Sequence, residues 1–334
     1  MQDDLILDAF KALVKGVANP AAIRAIESGE SSAALWEELE QSGFCDALVA
    51  EEHGGAGLDL EAAFSLIEAC GTYALPLPMA QTMLARLLLT EAGEEAPNGP
   101  IAIATAPLNA EATTLVLYGA VAKWVLLARD GDLLLMDANA AEVTVNDHQS
   151  VDAQMIWPSN EFEQPRARIT GDIDLRSMEA GLLAAQLSGA MGHVFAASLK
   201  HANDRTQFGR SIGKFQAIQH QLSVMAEHTA AAHMAACMAF SGTSRLPEAL
   251  PCAVAKARTS EATTVVAAGA HGIHGAIGIT EELDLQLYTR RLHAWRAAAG
   301  SESYWNARIG RALIASECAN VLDFIRHELS PSKH

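Results

Sequence analysis

The chain has 334 residues, half of them apolar, which excludes a disordered protein and allows two or three domains or layers around a sizeable core. Its formal charge of −17 argues against nucleic acid or an anionic membrane surface as a partner and favours solubility. The five cysteines (Cys45, Cys70, Cys237, Cys252 and Cys318) lie far apart with no C-x-x-C pair, as expected of reduced thiols in a cytoplasmic protein.

The chain opens on "MQDDLILDAF", acidic where a secretory signal would be basic. From there to residue 98 the pattern is helical and interrupted. "DDLILDAFKALVKGV" repeats apolar residues at spacings of three and four, the period of one helix face. "SSAALWEELEQSGF" has Ser31 and Ser32 as candidate caps and Gly43 as its stop. A glycine-rich loop at "EEHGGAGLD" then leads into a further helix. Between residues 99 and 170 the period shifts towards strands. Asp130-Gly131 sits between two apolar runs and predicts a hairpin, so a small sheet or barrel is expected here.

Residues 171–334 are helical again, with long helices predicted near 175–202, 213–241 and 247–270 and two shorter ones after Thr280. The uncharged run Ala180–Leu199 is long enough to span a bilayer. It carries Gln186, Ser188 and His193 among small residues, and a helix buried inside a bundle accounts for it better. The fold class expected is therefore mainly α with a central β domain. It has an N-terminal helical domain, a small β-sheet or barrel domain and a C-terminal four-helix-type bundle.

One stretch breaks the helical texture. "DRTQFGRSIGKFQAIQH" places an arginine, an aromatic and two glycines just before an amphipathic helix. It resembles the signature of the acyl-CoA dehydrogenase family, R-x-x-F-G followed by I and F-Q. A second segment, "HGIHGAIGITEELDLQLYTRRLHAW", resembles that family's Q-I-H-G-G-x-G-F-T segment and the helix after it. The order of the three zones agrees, so the likeness covers the whole chain; it is weakest in the β zone.

The resemblance implies FAD as cofactor and an acyl-CoA as substrate. It also implies an electron-transfer flavoprotein as acceptor and a homo- or hetero-oligomer built as a dimer of dimers. Arg205 would hold the FAD pyrophosphate, Phe208 would offer an apolar face to the adenine, and Gln216 would add an amide hydrogen bond, all three across a subunit interface. Gly272, His274, Gly275, Ala276, Gly300 and Ser301 fall at further cofactor-binding positions. On residue chemistry alone, a surface ion pair for Arg205 and a core contact for Phe208 are the favoured reading. Gly272 and Ala276 depart from the family's glutamine and glycine, which implies a weakened grip on the ADP half.

Dehydrogenation of this kind needs a carboxylate near the substrate α-carbon, in a dry pocket that raises its pKa. At the commoner position of the family's base this chain has Ala299, followed by Gly300 and Ser301. A minority of the family carries the base on the first long helix of the bundle, and that position is Glu179. No acid occurs in the 24 residues that follow it. The alternative is a solvated first-turn glutamate favoured by the helix dipole.

The flavin-holding loops of typical members are not found in the β zone: "IAIATAPLNAEATT" stands in place of one, and Trp124 reads as a strand residue packed in the sheet. Eroded loops beside an intact corner suggest one subunit of a heteromeric enzyme for bulky, for example steroid-derived, acyl-CoAs. A non-catalytic subunit that lends its corner to a related dehydrogenase is the alternative. No metal is expected, since neither E-x-x-H pairs nor histidines at helical i,i+4 spacing occur.

Overall fold

The computed structural model describes residues 2–107, 113–145 and 150–329. Five helices come first: α1 (Gln2–Val17), α2 (Pro20–Glu27), α3 (Ala33–Gln41), α4 (Leu60–Thr72) and α5 (Met79–Glu91). The periodic residues Phe10, Val14 and Val17 of α1 are fully buried. Helix α2 starts with Pro20 at its first position, and the Asn19 side chain accepts from the Ala22 amide at 3.0 Å. Helix α3 stops where Gly43 turns left-handed, at φ +79°. Helix α5 is buried on every face from Met79 to Leu89, so it has no amphipathic period to betray it. Its Arg86 is matched inside by Glu40 and by Asp46, the latter at 2.9 Å.

Seven strands follow. Strands β1 (Ile101–Thr105), β3 (Trp124–Arg129), β4 (Asp132–Asp137) and β7 (Ala167–Thr170) form one sheet in that order, while β2 (Thr114–Val116), β6 (Ala153–Ile156) and β5 (Glu142–Thr144) form a second. Asp130 and Gly131, at φ +53° and +89°, close the tight turn between β3 and β4. The larger sheet is covered on both sides. Leu126, Leu133 and Leu135 face the helical core, whereas Val125, Leu127, Leu134 and Met136 meet the smaller sheet through Val116, Ala153, Met155 and Trp157. Two covered faces explain the unbroken apolar runs of β3 and β4. Trp124 heads β3, and its indole N–H donates to the Asn98 carbonyl.

The C-terminal part holds α6 (Leu175–Asp204), a two-residue hairpin of β8 (Thr206–Gln207) and β9 (Arg210–Ser211), then α7 (Gln216–Met238), α8 (Ala249–His274), α9 (Leu285–Ala297), α10 (Glu302–Ala315) and the short α11 (Val321–Phe324). Helix α6 is the centre of the molecule and packs against α4, α7, α8 and α9. Its polar residues are matched inside: Gln186 accepts from Gln81 and donates to the Tyr118 hydroxyl, both at 3.1 Å, and Ser188 donates to Glu68 at 2.7 Å. Among the described residues α6 is also the one helix long and apolar enough to cross a membrane, and two thirds of its most apolar stretch is buried in the protein. All five cysteines are free.

Glycines allow α4 and α6 to touch backbone to backbone. A Cβ on Gly71 would lie 1.9 Å from the Gln186 carbonyl oxygen, and one on Gly189 would lie 2.0 Å from that of Glu68. Neither obstacle is a side chain that can swing away. Gly71→Ala is therefore expected to force the helices apart and lower unfolding stability by ~2 kcal/mol or more, read by urea denaturation.

Candidate functional site

Glu179 lies one turn inside α6, whose start is fixed by Asp174. The Asp174 carboxylate accepts from the Ser177 amide at 3.1 Å and is itself held by Arg308. The glutamate is not solvated: it is only 6% exposed, so the first-turn surface reading fails. Among the described residues no hydrogen bond reaches its carboxylate. Burial pushes its pKa up to about 8, against the pull of Lys256 and Arg176.

Lys256, on the facing turn of α8, is fully buried. Its ammonium donates to the Ser260 hydroxyl at 3.0 Å and to the carbonyls of Arg296 at 2.9 Å and Gly300 at 3.1 Å. Burial lowers its pKa to about 7, opposed by the charges of Glu179 and Glu302. The sequence reading did not single it out. A signal was available, because Lys256 shares one helix stripe with the small residues Cys252, Ser260 and Thr263, all buried.

The loop between α9 and α10 closes this region. Ala299 is left-handed at φ +53° and Gly300 sits at φ +106°. A side chain at Gly300 would meet the Tyr304 ring at 2.6 Å and the Trp305 indole nitrogen at 3.0 Å. The Gly300 carbonyl also accepts from that indole at 3.1 Å, so close packing within the chain explains this glycine. Ser301 caps α10 in position only, with its hydroxyl 3.1 Å from that of Ser303.

A second site lies at the other end of α6. Arg205 ends the helix, and Phe208 with Gly209 forms the turn of the β8–β9 hairpin, both at positive φ (+51° and +77°). Phe208 is 91% exposed, its ring edge-on to Phe215 at 6.1 Å, which excludes the core-contact alternative. Arg205 is exposed and makes no ion pair among the described residues. Both line an open groove of about 560 Å³ with His201, Ile212, Phe215 and Ile218. The far wall is the end of α8 and its following turn, which brings Gly272, His274, Gly275 and Ala276 to the corner. His274 is buried and donates from Nδ1 to the Ala270 carbonyl at 2.9 Å. Gln216 is exposed at the first turn of α7 and does not line the groove, while Gly300 and Ser301 belong to the Lys256 region. The stretch that stands in place of a flavin loop includes residues 108–112, which lie outside those described.

The two sites suit different chemistries. A carboxyl that ionises near neutrality without a hydrogen bond can take a proton from a weak carbon acid. A structural buried glutamate would be paired directly, as Glu27 is with Arg291 at 2.8 Å. The groove joins apolar walls to an uncommitted guanidinium, a combination that fits a flat base and an adjoining phosphate.

Comparison with known proteins agrees with this layout. The acyl-CoA dehydrogenase N-terminal domain family matches residues 2–98, and the acyl-CoA dehydrogenase C-terminal domain family matches residues 177–314. Acyl-CoA dehydrogenase IpdE2 of Mycolicibacterium smegmatis is 31% identical over 87% of this chain and 92% of its own. Acyl-CoA dehydrogenase FadE34 of Mycobacterium tuberculosis is 28% identical over 92% of this chain but only 46% of its own. Among solved structures, the ChsE4–ChsE5 complex from Mycobacterium tuberculosis superposes with a TM-score of 0.79 at 19% identity, covering 95% of this chain and 98% of the matched chain. The Tcur3481–Tcur3483 steroid ACAD G363A variant gives 0.76 at 22%, covering 93% and 98%. At these identities the structures show a shared fold.

An exposed phenylalanine in the left-handed region is kept at a cost to the backbone. Phe208→Gly is expected to leave the free chain as stable or stabilise it by up to about 1 kcal/mol, seen as a higher urea midpoint. A clear loss of stability would mean that Phe208 supports the fold rather than a ligand.

Proposed function

We propose, since the chain belongs to the acyl-CoA dehydrogenase family, that it carries out FAD-dependent α,β-dehydrogenation of a bulky acyl-CoA thioester, with Glu179 as the base. The observation that carries this reading is the buried side chain of Glu179, whose carboxyl takes no hydrogen bond among the described residues, in a chain with Ala299 at the family's commoner base position. Glu179 ionises as pH rises through about 8 and then accepts the α-proton. Its apolar surroundings favour the neutral acid that results. FAD, when bound, supplies the acceptor for the hydride that leaves the β-carbon.

The residues of the groove fit the ADP half of that cofactor. Arg205 offers a planar fork to the pyrophosphate, Phe208 and the apolar wall offer a face to the adenine, and the glycines beside His274 leave backbone open to approach. The length of α6 bears on how the two sites cooperate. From Glu179 to the C-cap residue Arg205 the chain rises roughly 39 Å along the helix axis at 1.5 Å per residue. That separation supports a corner that serves a cofactor presented by a second chain.

We assign the second chain to an unlike partner, giving a heteromer of the dimer-of-dimers kind. The named heteromeric complex and the steroid ACAD of this fold support both that assembly and a steroid-derived acyl group. Gln216, Gly300 and Ser301 receive no direct role at the cofactor in this reading. An electron-transfer flavoprotein is proposed as the acceptor on family grounds.

Two experiments test the assignment. Glu179→Gln keeps side-chain volume and should lower turnover by ~100-fold or more, the low end for loss of a general base. The rise of wild-type kcat/KM through pH about 8 should vanish with it. Wild-type turnover in that variant would remove Glu179 from the chemistry. Arg205→Ala should weaken FAD binding by about tenfold or more in the assembled protein, with helical content unchanged. Unaltered flavin affinity by fluorescence titration would detach the corner from the cofactor.

A further inference from the structure

The groove at the end of α6 holds a side chain that the cofactor reading leaves unused. His201 lies one helical turn before Arg205, and its carbonyl accepts from the Arg205 amide at 2.9 Å. Residues four apart share a helix face, and both side chains line the groove. The imidazole rests against the ring of His274, with centroids 4.4 Å apart and planes tilted by 33°. His274 is buried and anchored through Nδ1 to the Ala270 carbonyl, so the ring behind His201 is fixed. Among the described residues no hydrogen bond reaches either ring nitrogen of His201.

We infer that His201 is a second phosphate-binding residue of this groove, donating to the diphosphate beside Arg205 and taking up a proton when that diphosphate binds. The inference rests on the reading of the groove as the ADP site, not on that of Glu179. An imidazole is a donor in either protonation state, and as a cation it donates from both nitrogens. Arg205 carries a permanent charge; His201 gains one when an anion is there to hold it. In the free chain burial lowers the His201 pKa, helped by the charges of His274 and Arg205 and opposed by Asp204. A diphosphate beside the ring reverses that balance.

The elements packed around His201 leave this duty to the ligand. On its own helix Lys200 and Asp204 are exposed and lie outside the groove lining. On α8, His271 is engaged through Nε2 with the Thr289 hydroxyl at 3.0 Å. Arg210 of the hairpin lies over the Phe215 ring at 4.3 Å, and Lys214 of the turn after it is exposed. Among the described residues no carboxylate lines the groove, so the anion that would hold His201 charged comes from outside the chain. A group whose pKa rises on binding strengthens the complex at low pH, and that gain is lost as pH climbs through the bound value. Affinity for the diphosphate is therefore expected to increase as pH falls below neutrality.

Calorimetry with ADP-ribose tests this on the full chain in its purified assembly, freed of flavin. The probe has the adenine and diphosphate diester of FAD, and its diphosphate does not titrate in the range used. Affinity should rise about fivefold or more from about pH 8 to about pH 6, as for a pKa raised by about one unit on binding. Proton uptake should accompany it, read by repeating the titration in buffers of different ionisation enthalpy. His201→Gln keeps a donor but cannot titrate, so both the pH dependence and the uptake should disappear. Their persistence in His201→Gln would place the proton on another group, such as His274, and overturn the inference. Binding by the wild-type chain that ignores pH would overturn it as well. Should ADP-ribose bind at no pH, the groove reading itself fails and this inference falls with it, while the assignment of Glu179 stands apart.

Discussion

The structure depends on one constraint, the burial of α6 along most of its length. The helix is packed between α4, α7, α8 and α9, at separations that only glycine permits at Gly71 and Gly189. Any charge on its inner faces is therefore dry. Next to Glu179, Ala180 packs with Ala253, Ala257 and Trp305, and burial makes an ordinary glutamate hold its proton near neutrality.

The ends of this one rigid element carry the two chemistries. The N-terminal end holds the buried Glu179, the proposed base, and Lys256 ties the α9–α10 loop to α8. The C-terminal end turns at Arg205 into a tight hairpin that displays Phe208 to solvent. A helix joining them fixes their separation, and the separation makes sense of the exposed aromatic. Among the described residues the ring of Phe208 meets only the edge of Phe215, so its strained and exposed position suits the proposed cofactor of a second subunit.

Much of this was legible in the sequence, and the reasons differ by residue. Asp130-Gly131 gave the β3–β4 turn because few dipeptides tolerate two positive φ angles. Gln186 and Ser188 marked α6 as a bundle helix, since polar groups in a long apolar run need partners, and the structure supplies Gln81, Tyr118 and Glu68. Helix α5 was not singled out because burial on all faces erases the period that reveals a helix. The parallel pairing of β1 with β3 and the Glu27–Arg291 pair, 264 residues apart, leave no local trace at all. At the candidate site, family motifs supplied Glu179, Arg205 and Phe208. The burial of Glu179 and the part played by Lys256 depend on contacts between α6, α8 and the α9–α10 loop, which no single segment encodes. Gly300 shows the converse, a motif position whose glycine is explained by the crowding of Tyr304 and Trp305.

The central claim is that Glu179 removes the α-proton, and α-proton exchange reads that step without waiting for the rest of the reaction. A steroid-derived acyl-CoA incubated with the assembled protein in deuterated buffer, without an electron acceptor, can be followed by mass spectrometry for deuterium at its α-carbon. The account predicts steady incorporation with the wild-type chain, faster as pH rises towards about 8, and none above background with Glu179→Gln. Incorporation at the wild-type rate in the Glu179→Gln protein would contradict it and place the base elsewhere.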